Sequence, residues 1–441
     1  MRGEDRFRER LHSHTLVMGV VGLGYVGLPL ALQMAKAGYP VRGYDLQPER
    51  AAAVNRGESY IGDVDSGELA LAVGGGLLSA SDNPRILEDA EFVAICVPTP
   101  LDAHQQPDVS YIRQSGQMVA GLLKRERAVV LESTTYPGTT QELLLPLLEE
   151  GSGLRCGEDF WLAFSPERVD PGNRRYHTGN TPKIVGGVGE EATRLTAAVY
   201  RQILRGQVVE VSSPQVAEMA KILENTYRHV NVGLANEMAI LCRKMGINVW
   251  EVIDAASTKP YGFQAFYPGP GLGGHCIPLD PYYLTWKARE YGYHTRLIEL
   301  SGEINSQMPA YVVSRAAELL NQQGQSMKGA RILLLGVAYK ADVADCRESP
   351  ALRILELLEE EGAQLAYYDP LVPVCRCRWG ERRSVRELTG PFIETFHLVM
   401  ITTGHSGVDY SLVARHGRQI FDTRNATAFL APSQRQKVTL L

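Results

Sequence analysis

Short apolar runs alternate with segments of helical period through the first half of the chain. Leu16–Val21, Val41–Asp45, Phe92–Val97 and Ala128–Glu132 have the continuity of strands buried on both faces. Leu28–Ala37, Gln47–Arg56 and Tyr111–Leu123 carry the 3.6-residue period of helices between them. Such alternation predicts βαβ units on a parallel sheet. Ser212, Ser213 and Pro214 then mark a helix start, and the helical pattern runs from Gln215 to about Met245, where Gly246 is a stop. At 1.5 Å per residue this helix of about 31 residues is roughly 45 Å long. Further helical pattern extends to about Gln323. A second α/β block begins near Lys328, with strands at Ala330–Gly336, Gln364–Asp369, Leu398–Thr403 and Gln419–Asp422 and a helix at Ser349–Glu361.

The segment Met1–His14 is polar and charged and reads as a frayed extension. Leu16–Met34 is apolar but punctuated by Gly19, Gly22, Gly24, Gly27 and Pro29, and it leads straight into a second strand. It therefore reads as strand, turn and helix rather than as a signal peptide. No other stretch is long and apolar enough to span a bilayer, so no membrane partner is expected.

Composition narrows this picture only a little. The 441 residues, 44% hydrophobic and 22% charged, suffice for two or three cores. A net charge of −5 gives no reason to expect nucleic acid. Seven scattered cysteines do not suggest a disulfide framework and point to a reducing, cytoplasmic setting. Cys375 and Cys377 form a lone Cys-x-Cys, too little for zinc, and no metal is expected.

Gly22-Leu23-Gly24-Tyr25-Val26-Gly27 fits G-x-G-x-x-G, follows an apolar strand and opens a helix, which is the context the motif needs. The glycines permit a tight turn and close approach to a pyrophosphate, and the helix N-terminus supplies free N–H groups. Asp45 ends the next strand, where a carboxylate accepts from ribose hydroxyls and repels a 2′-phosphate, so the expected cofactor is NAD rather than NADP. Arg50, five residues on, could flank the adenosine. Cys96-Val97-Pro98-Thr99-Pro100 and Glu132-Ser133-Thr134-Thr135 both fall at the carboxyl edge of the sheet. Thr99, Thr134 and Thr135 could touch cofactor or substrate there, and turn capping by Ser and Thr is the plainer alternative.

In Pro268–Asp280 four glycines (Gly269, Gly271, Gly273, Gly274) crowd in front of Cys276. Such a loop allows a ligand to lie against the backbone and leaves the thiol uncovered, whereas a packing cysteine more often sits in an apolar run. On the long helix Lys221, Asn225 and Arg228 stand at i, i+4 and i+7 and share one face, amid Met219, Ile222, Leu223, Val230 and Val232. A solvated face is the ordinary reading of such a stripe; the cysteine loop and the glycine turn weigh against it. The turn-rich Phe164–Gly172 segment adds Glu167 as a candidate acid–base and Arg168 as a candidate anion contact, although isolated residues of both types are usually on the surface.

With these residues collected, the chain resembles the UDP-glucose/GDP-mannose dehydrogenase family along nearly its whole length. The segments that carry the likeness are Gly22–Leu30, Ser133–Thr140, Ser165–Asn173, Gly269–Tyr283 and Gly336–Pro350. The resemblance, with the patterning above, predicts an α/β protein: two Rossmann-like doubly wound domains joined by a central helical domain with a long connecting helix. The expected division is 1–212 (NAD-binding), 213–325 (dimerisation) and 326–441 (UDP-sugar-binding), in a homodimer or higher homo-oligomer. The resemblance places Cys276 as nucleophile, Lys221 as catalytic lysine, Asn225 as oxyanion binder, Asp280 as the carboxylate beside the thiol, Glu167 as acid–base in thioester hydrolysis and Thr134 as holder of the water. It implies Arg347 as a cofactor contact, with Tyr25 and Val26 in the glycine turn. It implies Glu167, Arg168, Val169, Lys221, Asn225, Arg228, Tyr267, Gly271, Tyr339, Lys340 and Arg424 around the sugar nucleotide.

Arg168 after Ser-Pro-Glu and His275 before the cysteine depart from the UDP-glucose branch and favour an N-acetylated sugar. Pro171 stands where that branch has a second acid, so the division of labour in hydrolysis is left open at this point. The expected reaction is a four-electron oxidation of the C6 alcohol of a UDP-sugar through a thiohemiacetal and thioester on Cys276. UDP-GlcNAc is the first choice, then UDP-ManNAc, UDP-GalNAc and UDP-glucose. A single-step hydroxyacid dehydrogenase and a non-catalytic NAD-binding module are the competing readings. Neither explains the Cys276 loop, and the first also lacks a second α/β domain.

Overall fold

The computed structural model describes residues 3–102, 106–170, 172–173, 175–274 and 276–441; Pro171 and His275 lie outside them. The chain forms two compact units, residues 1–224 with 282–293 and residues 225–281 with 294–441.

The first unit is built on strands β1 (Met18–Val21), β2 (Val41–Tyr44), β3 (Leu78–Ser81), β4 (Phe92–Ile95), β5 (Arg127–Leu131), β6 (Phe160–Phe164), β7 (Lys183–Gly187) and β8 (Val208–Glu210). Their order is β3-β2-β1-β4-β5-β6-β7-β8. All pairings are parallel except β6 with β7. The first six strands follow the doubly wound order 3-2-1-4-5-6, which puts a crevice where the order reverses between β1 and β4. Runs such as Phe92–Ile95 are apolar throughout because helices cover both faces of the sheet, and one core forms on each side.

The second unit carries β9 (Arg331–Leu335), β10 (Gln364–Tyr368), a hairpin of β11 (Val374–Cys377) and β12 (Gly380–Arg383), then β13 (Leu398–Ile401), β14 (Ile420–Asp422) and β15 (Val438–Leu440). Its five-stranded sheet runs β10-β9-β13-β14-β15, all parallel. Leaving out the hairpin, this is the 2-1-3-4-5 order of the other common doubly wound sheet, with its reversal between β9 and β13. The long helix spans Pro214–Met245, 32 residues. The helical pattern beyond it is not continuous: it resolves into Val249–Ser257, Asp280–Glu290 and the 27-residue Arg296–Gln322.

The N-terminus corrects an expectation. Gly3–His12 is a helix, not a frayed extension, and it buries Phe7 and Leu11. These two stand four residues apart and make an apolar stripe in an otherwise charged segment. Phe7 meets Trp161 edge-on at 5.5 Å between ring centroids, and the buried Tyr39 hydroxyl donates to the Leu11 carbonyl over 2.9 Å.

Candidate active site

The first glycine turn is a backbone cradle. Gly22 has φ +89°, and a Cβ there would lie 2.7 Å from the Cys96 carbonyl oxygen. A Cβ on Gly27 would lie 1.8 Å from that of Gly22. These two glycines are demanded by the protein's own packing. Gly24 is different: a Cβ there would meet nothing within 4 Å, so its backbone faces open space beside the start of helix Gly27–Lys36. Asp45 is 5% exposed, accepts from the Leu23 amide (2.8 Å) and the Gln47 amide (2.9 Å), and stands 3.5 Å from Arg50. An open glycine next to a helix N-terminus, with a fixed carboxylate at the end of β2, fits the diphosphate and ribose of NAD.

The neighbouring strand ends are joined by side-chain hydrogen bonds. The Thr99 hydroxyl donates to the Thr134 carbonyl over 2.6 Å, and Ser133 donates to the Val97 carbonyl over 2.7 Å. The Tyr283 hydroxyl donates to the Thr99 carbonyl. Thr135 is buried with its hydroxyl 2.7 Å from that of Thr139, so within this unit it braces the turn. Glu167 follows β6. Its Oε1 accepts from the Arg168 and Val169 amides (2.8 and 2.9 Å), and its Oε2 lies 3.5 Å from the Lys183 ammonium. Arg168 forms a two-pronged pair with Glu224 (3.2 and 2.5 Å), an acid that the sequence reading did not single out. Lys221 is 5% exposed in mid-helix, so the solvated-face reading does not hold for it.

In the second unit the cysteine loop has a definite architecture. Of the seven cysteines, Cys276 is exposed, while Cys96, Cys242 and Cys375 are buried and the others intermediate. The Asp280 amide donates to the Cys276 carbonyl over 2.9 Å, so the two residues stand one turn apart along the backbone. The buried Asp280 carboxylate accepts from the Asn225 side-chain amide, whose oxygen accepts from Arg228. Asn225, Arg228, Cys276 and Asp280 are thus one connected group.

The loop glycines serve close packing within the protein rather than the open ligand approach that their number alone predicts. A Cβ on Gly269 would stand 2.5 Å from the Arg424 guanidinium. Gly273 and Gly274 would stand 2.8 and 2.9 Å from Tyr339, and Gly271 has φ +131° with Pro350 at 2.9 Å. Tyr339 and Arg424 are thereby brought to the loop that carries the thiol. Burial pushes the Arg424 guanidinium down to about 10, partly offset by Asp422. Arg347 makes a close pair with Asp345 (2.7 Å) in an exposed loop, and Tyr267 donates to Asp254 (2.7 Å) and stacks on Trp250.

Two buried polar networks of this unit escaped the sequence reading. Asn236 accepts from the Gly269 amide (2.9 Å) and donates to Asn305 (2.9 Å), which donates to the His229 carbonyl (3.1 Å). The His229 Nδ1 donates to the Ile277 carbonyl (3.0 Å). This chain pins both ends of the cysteine loop to two helices. In the other network Asp369, at the end of β10, accepts from the Val337 and Ala338 amides through Oδ2 (2.8 and 2.9 Å). His405 meets the same oxygen at 3.1 Å and accepts from the Asp342 amide through Nδ1 (3.0 Å). His405 is therefore the tautomer with its proton on Nε2. It holds Asp342 in the left-handed region (φ 61°) just after Lys340. The Asn and His side chains of the first network stand in long helices, and Asp369 and His405 of the second stand at a strand end and in a loop 36 residues apart; none carries a sequence mark of what it bonds, which is why neither network was legible.

The chain matches the UDP-glucose/GDP-mannose dehydrogenase family in three parts: the NAD binding domain over residues 17–204, the central domain over 215–307 and the UDP binding domain over 333–428. It is 40% identical to the UDP-N-acetyl-D-glucosamine 6-dehydrogenase of Pseudomonas aeruginosa, over 81% of this chain and 83% of that protein. It is 36% identical to the UDP-N-acetyl-D-mannosamine dehydrogenase of Pyrococcus horikoshii, over 92% of this chain and 95% of that protein. The solved structure of a UDP-D-ManNAc dehydrogenase from Pyrococcus horikoshii superposes with a TM-score of 0.86 at 35% identity, covering 93% of this chain and 96% of that one.

Proposed function

Because this chain belongs to the UDP-glucose/GDP-mannose dehydrogenase family, and is therefore a nucleotide-sugar dehydrogenase that uses NAD, we propose that it oxidises the C6 alcohol of UDP-N-acetylglucosamine to the carboxylate through a thioester on Cys276. The observation that carries this reading is the exposed Cys276, whose carbonyl accepts from the amide of the buried Asp280, itself joined to the buried Asn225 and through it to the half-buried Arg228. A thiol exposed on a braced loop can attack an aldehyde, and a neighbouring amide can donate to the oxyanion that forms.

Two NAD, bound in turn, would each accept one hydride from C6. The chain's own residues do the rest. Gly22, Gly24, Gly27 and Asp45 hold the dinucleotide, and Arg347 adds a contact to it. Lys340, Tyr339 and Arg424 hold the UDP-sugar, with Lys340 on the diphosphate. Cys276 adds to the C6 aldehyde and retains it as a thiohemiacetal, whose oxidation yields the thioester. Lys221 and Asn225 stabilise negative oxygen, where a fixed donor commonly contributes about 3–4 kcal/mol. Thr134 holds the hydrolytic water and Glu167 takes its proton. The functional division falls at residues 212/213 and 325/326. A homodimer is supported by the apolar side chains that the long helix leaves exposed, among them Tyr227, Leu234, Leu241 and Met245. The odd number and scatter of the cysteines support a cytoplasmic setting.

A panel of UDP-GlcNAc, UDP-ManNAc, UDP-GalNAc and UDP-glucose, read by NADH absorbance, tests the substrate. UDP-GlcNAc is expected to give the highest kcat/KM, with two NADH formed per acid, and UDP-ManNAc is the runner-up, because the GlcNAc relative is the more identical to the chain and the ManNAc relative matches it over the greater extent. Cys276→Ser is expected to abolish steady four-electron turnover. Full NADH yield at the parent rate from that variant would overturn the assignment.

A further inference from the structure

Behind Glu167 lies a buried cluster of charged groups to which the chemistry above gives no task. Lys183, the first residue of β7, is 4% exposed. Its ammonium pairs with Glu132, which is 1% exposed and directly follows β5. The hydroxyl of Tyr200, wholly buried on helix Glu190–Ile203, donates to the other Glu132 oxygen. Three elements thus converge on one carboxylate and fix the lysine, and that ammonium stands 3.5 Å from Glu167 Oε2.

Two features separate this cluster from an ordinary structural ion pair. Burying a lysine and a glutamate together is seldom the most stable way to fill a core; apolar residues of equal volume often serve better. The cluster also contains two carboxylates and one ammonium, so the pair is not closed: the cation is shared with a group on the motif that follows β6. Burial pulls the Lys183 ammonium down, but Glu132 and Glu167 outweigh it and the net direction is up, so the lysine stays charged. Burial pushes the thiol of the adjoining Cys96 well up, which leaves it a neutral neighbour.

With Oε1 held by two backbone amides and Oε2 facing Lys183, the Glu167 carboxylate is fixed from both sides. We propose that Lys183 is the positioning residue of the hydrolytic step, holding Glu167 in the orientation that takes a proton from water, with Glu132 and Tyr200 fixing Lys183 in turn. This rests on the assignment of Glu167 to thioester hydrolysis. In that step the water oxygen bonds to the acyl carbon, the C–S bond breaks and its electron pair leaves on the Cys276 sulfur. One water proton passes to Glu167 and on to the sulfur, the other is lost to solvent from the acid, and no oxidant or reductant is consumed.

The test is pre-steady-state NADH formation in the full enzyme, with the UDP-sugar that gives the highest rate. The double variant Lys183→Met/Glu132→Gln removes both buried charges together and leaves neither unpaired. A lost orientation should leave the burst of both hydride transfers intact and slow the steady rate by about 100-fold, as a small misplacement of a catalytic group does. The acyl adduct on Cys276 should then accumulate in intact-mass spectra. Glu167→Gln should behave in the same way. A proportional loss of burst and turnover, or a steady rate within about threefold of the parent while Glu167→Gln is slow, overturns the positioning role. Parent-like hydrolysis in Glu167→Gln itself sinks the assignment of Glu167 instead. Should the double variant fail to fold, Tyr200→Phe removes only one donor to Glu132. It is expected to slow hydrolysis with an intact burst, and an unchanged steady rate in it overturns the proposal.

Discussion

Asp45 and Asp369 occupy matching places, each just past the second strand of its sheet in chain order, and each accepts from the turn that follows the first strand. Their remaining partners differ. Asp45 has the Gln47 amide and Arg50 beside it, and a second-strand carboxylate of this kind is what a ribose needs. Asp369 also takes the Leu371 and Val372 amides through Oδ1 and His405 through Oδ2, which leaves its acceptor capacity filled by its own surroundings. The second sheet therefore has the topology of a dinucleotide fold without a carboxylate to offer a dinucleotide. Burial pushes the Asp369 carboxyl up, but the His405 hydrogen bond and the backbone amides outweigh it and bring it to about 2, below the ordinary 3.8. A depressed value contributes stability that is fully present above 3.8 and is lost as the pH falls through about 2. Asp369→Asn should therefore lower stability at pH 7 by about 2 kcal/mol or more, from the shift itself. In urea melts of the whole protein the deficit should shrink between pH 4 and pH 2, and a pH-independent deficit would contradict this account.

At the scale of elements, the buried parallel strands were readable because both faces are apolar, so β1, β4, β5, β9 and β13 are continuous runs. β3 (Leu-Ser-Ala-Ser) and β8, with two exposed residues of three, carry no such run and were not. The N-terminal helix was missed for a related reason. Only Phe7 and Leu11 of its ten residues are buried, too few to stand out against the charges. Its packing makes it part of the first core, so Leu11→Ala should cost about 2–5 kcal/mol, as leucine truncation in cores does. A urea midpoint unchanged from the parent would mean that the helix is dispensable.

For the molecule as a whole, two doubly wound sheets of different strand order are expected to serve two ligands. Each ligand that binds only the folded chain should stabilise it by about 2.7 kcal/mol at a hundredfold excess over its Kd. NAD and UDP, added separately in thermal melts, are each expected to raise Tm. A shift with NAD and none with UDP would remove the sugar-nucleotide role from the second unit.

Local pattern was enough for the chemistry of backbone and chain order: which runs become strands, where a glycine turn opens a helix, which cysteine stands in a glycine-rich loop. These depend on neighbours within a few residues, and chain order preserves them. What the glycines of the cysteine loop accommodate, which asparagine braces it, where Asp369 finds its donors and why Lys183 is charged inside a core depended on residues tens of positions apart. A buried polar group takes its meaning from the partner that replaces water, and only the tertiary structure selects that partner.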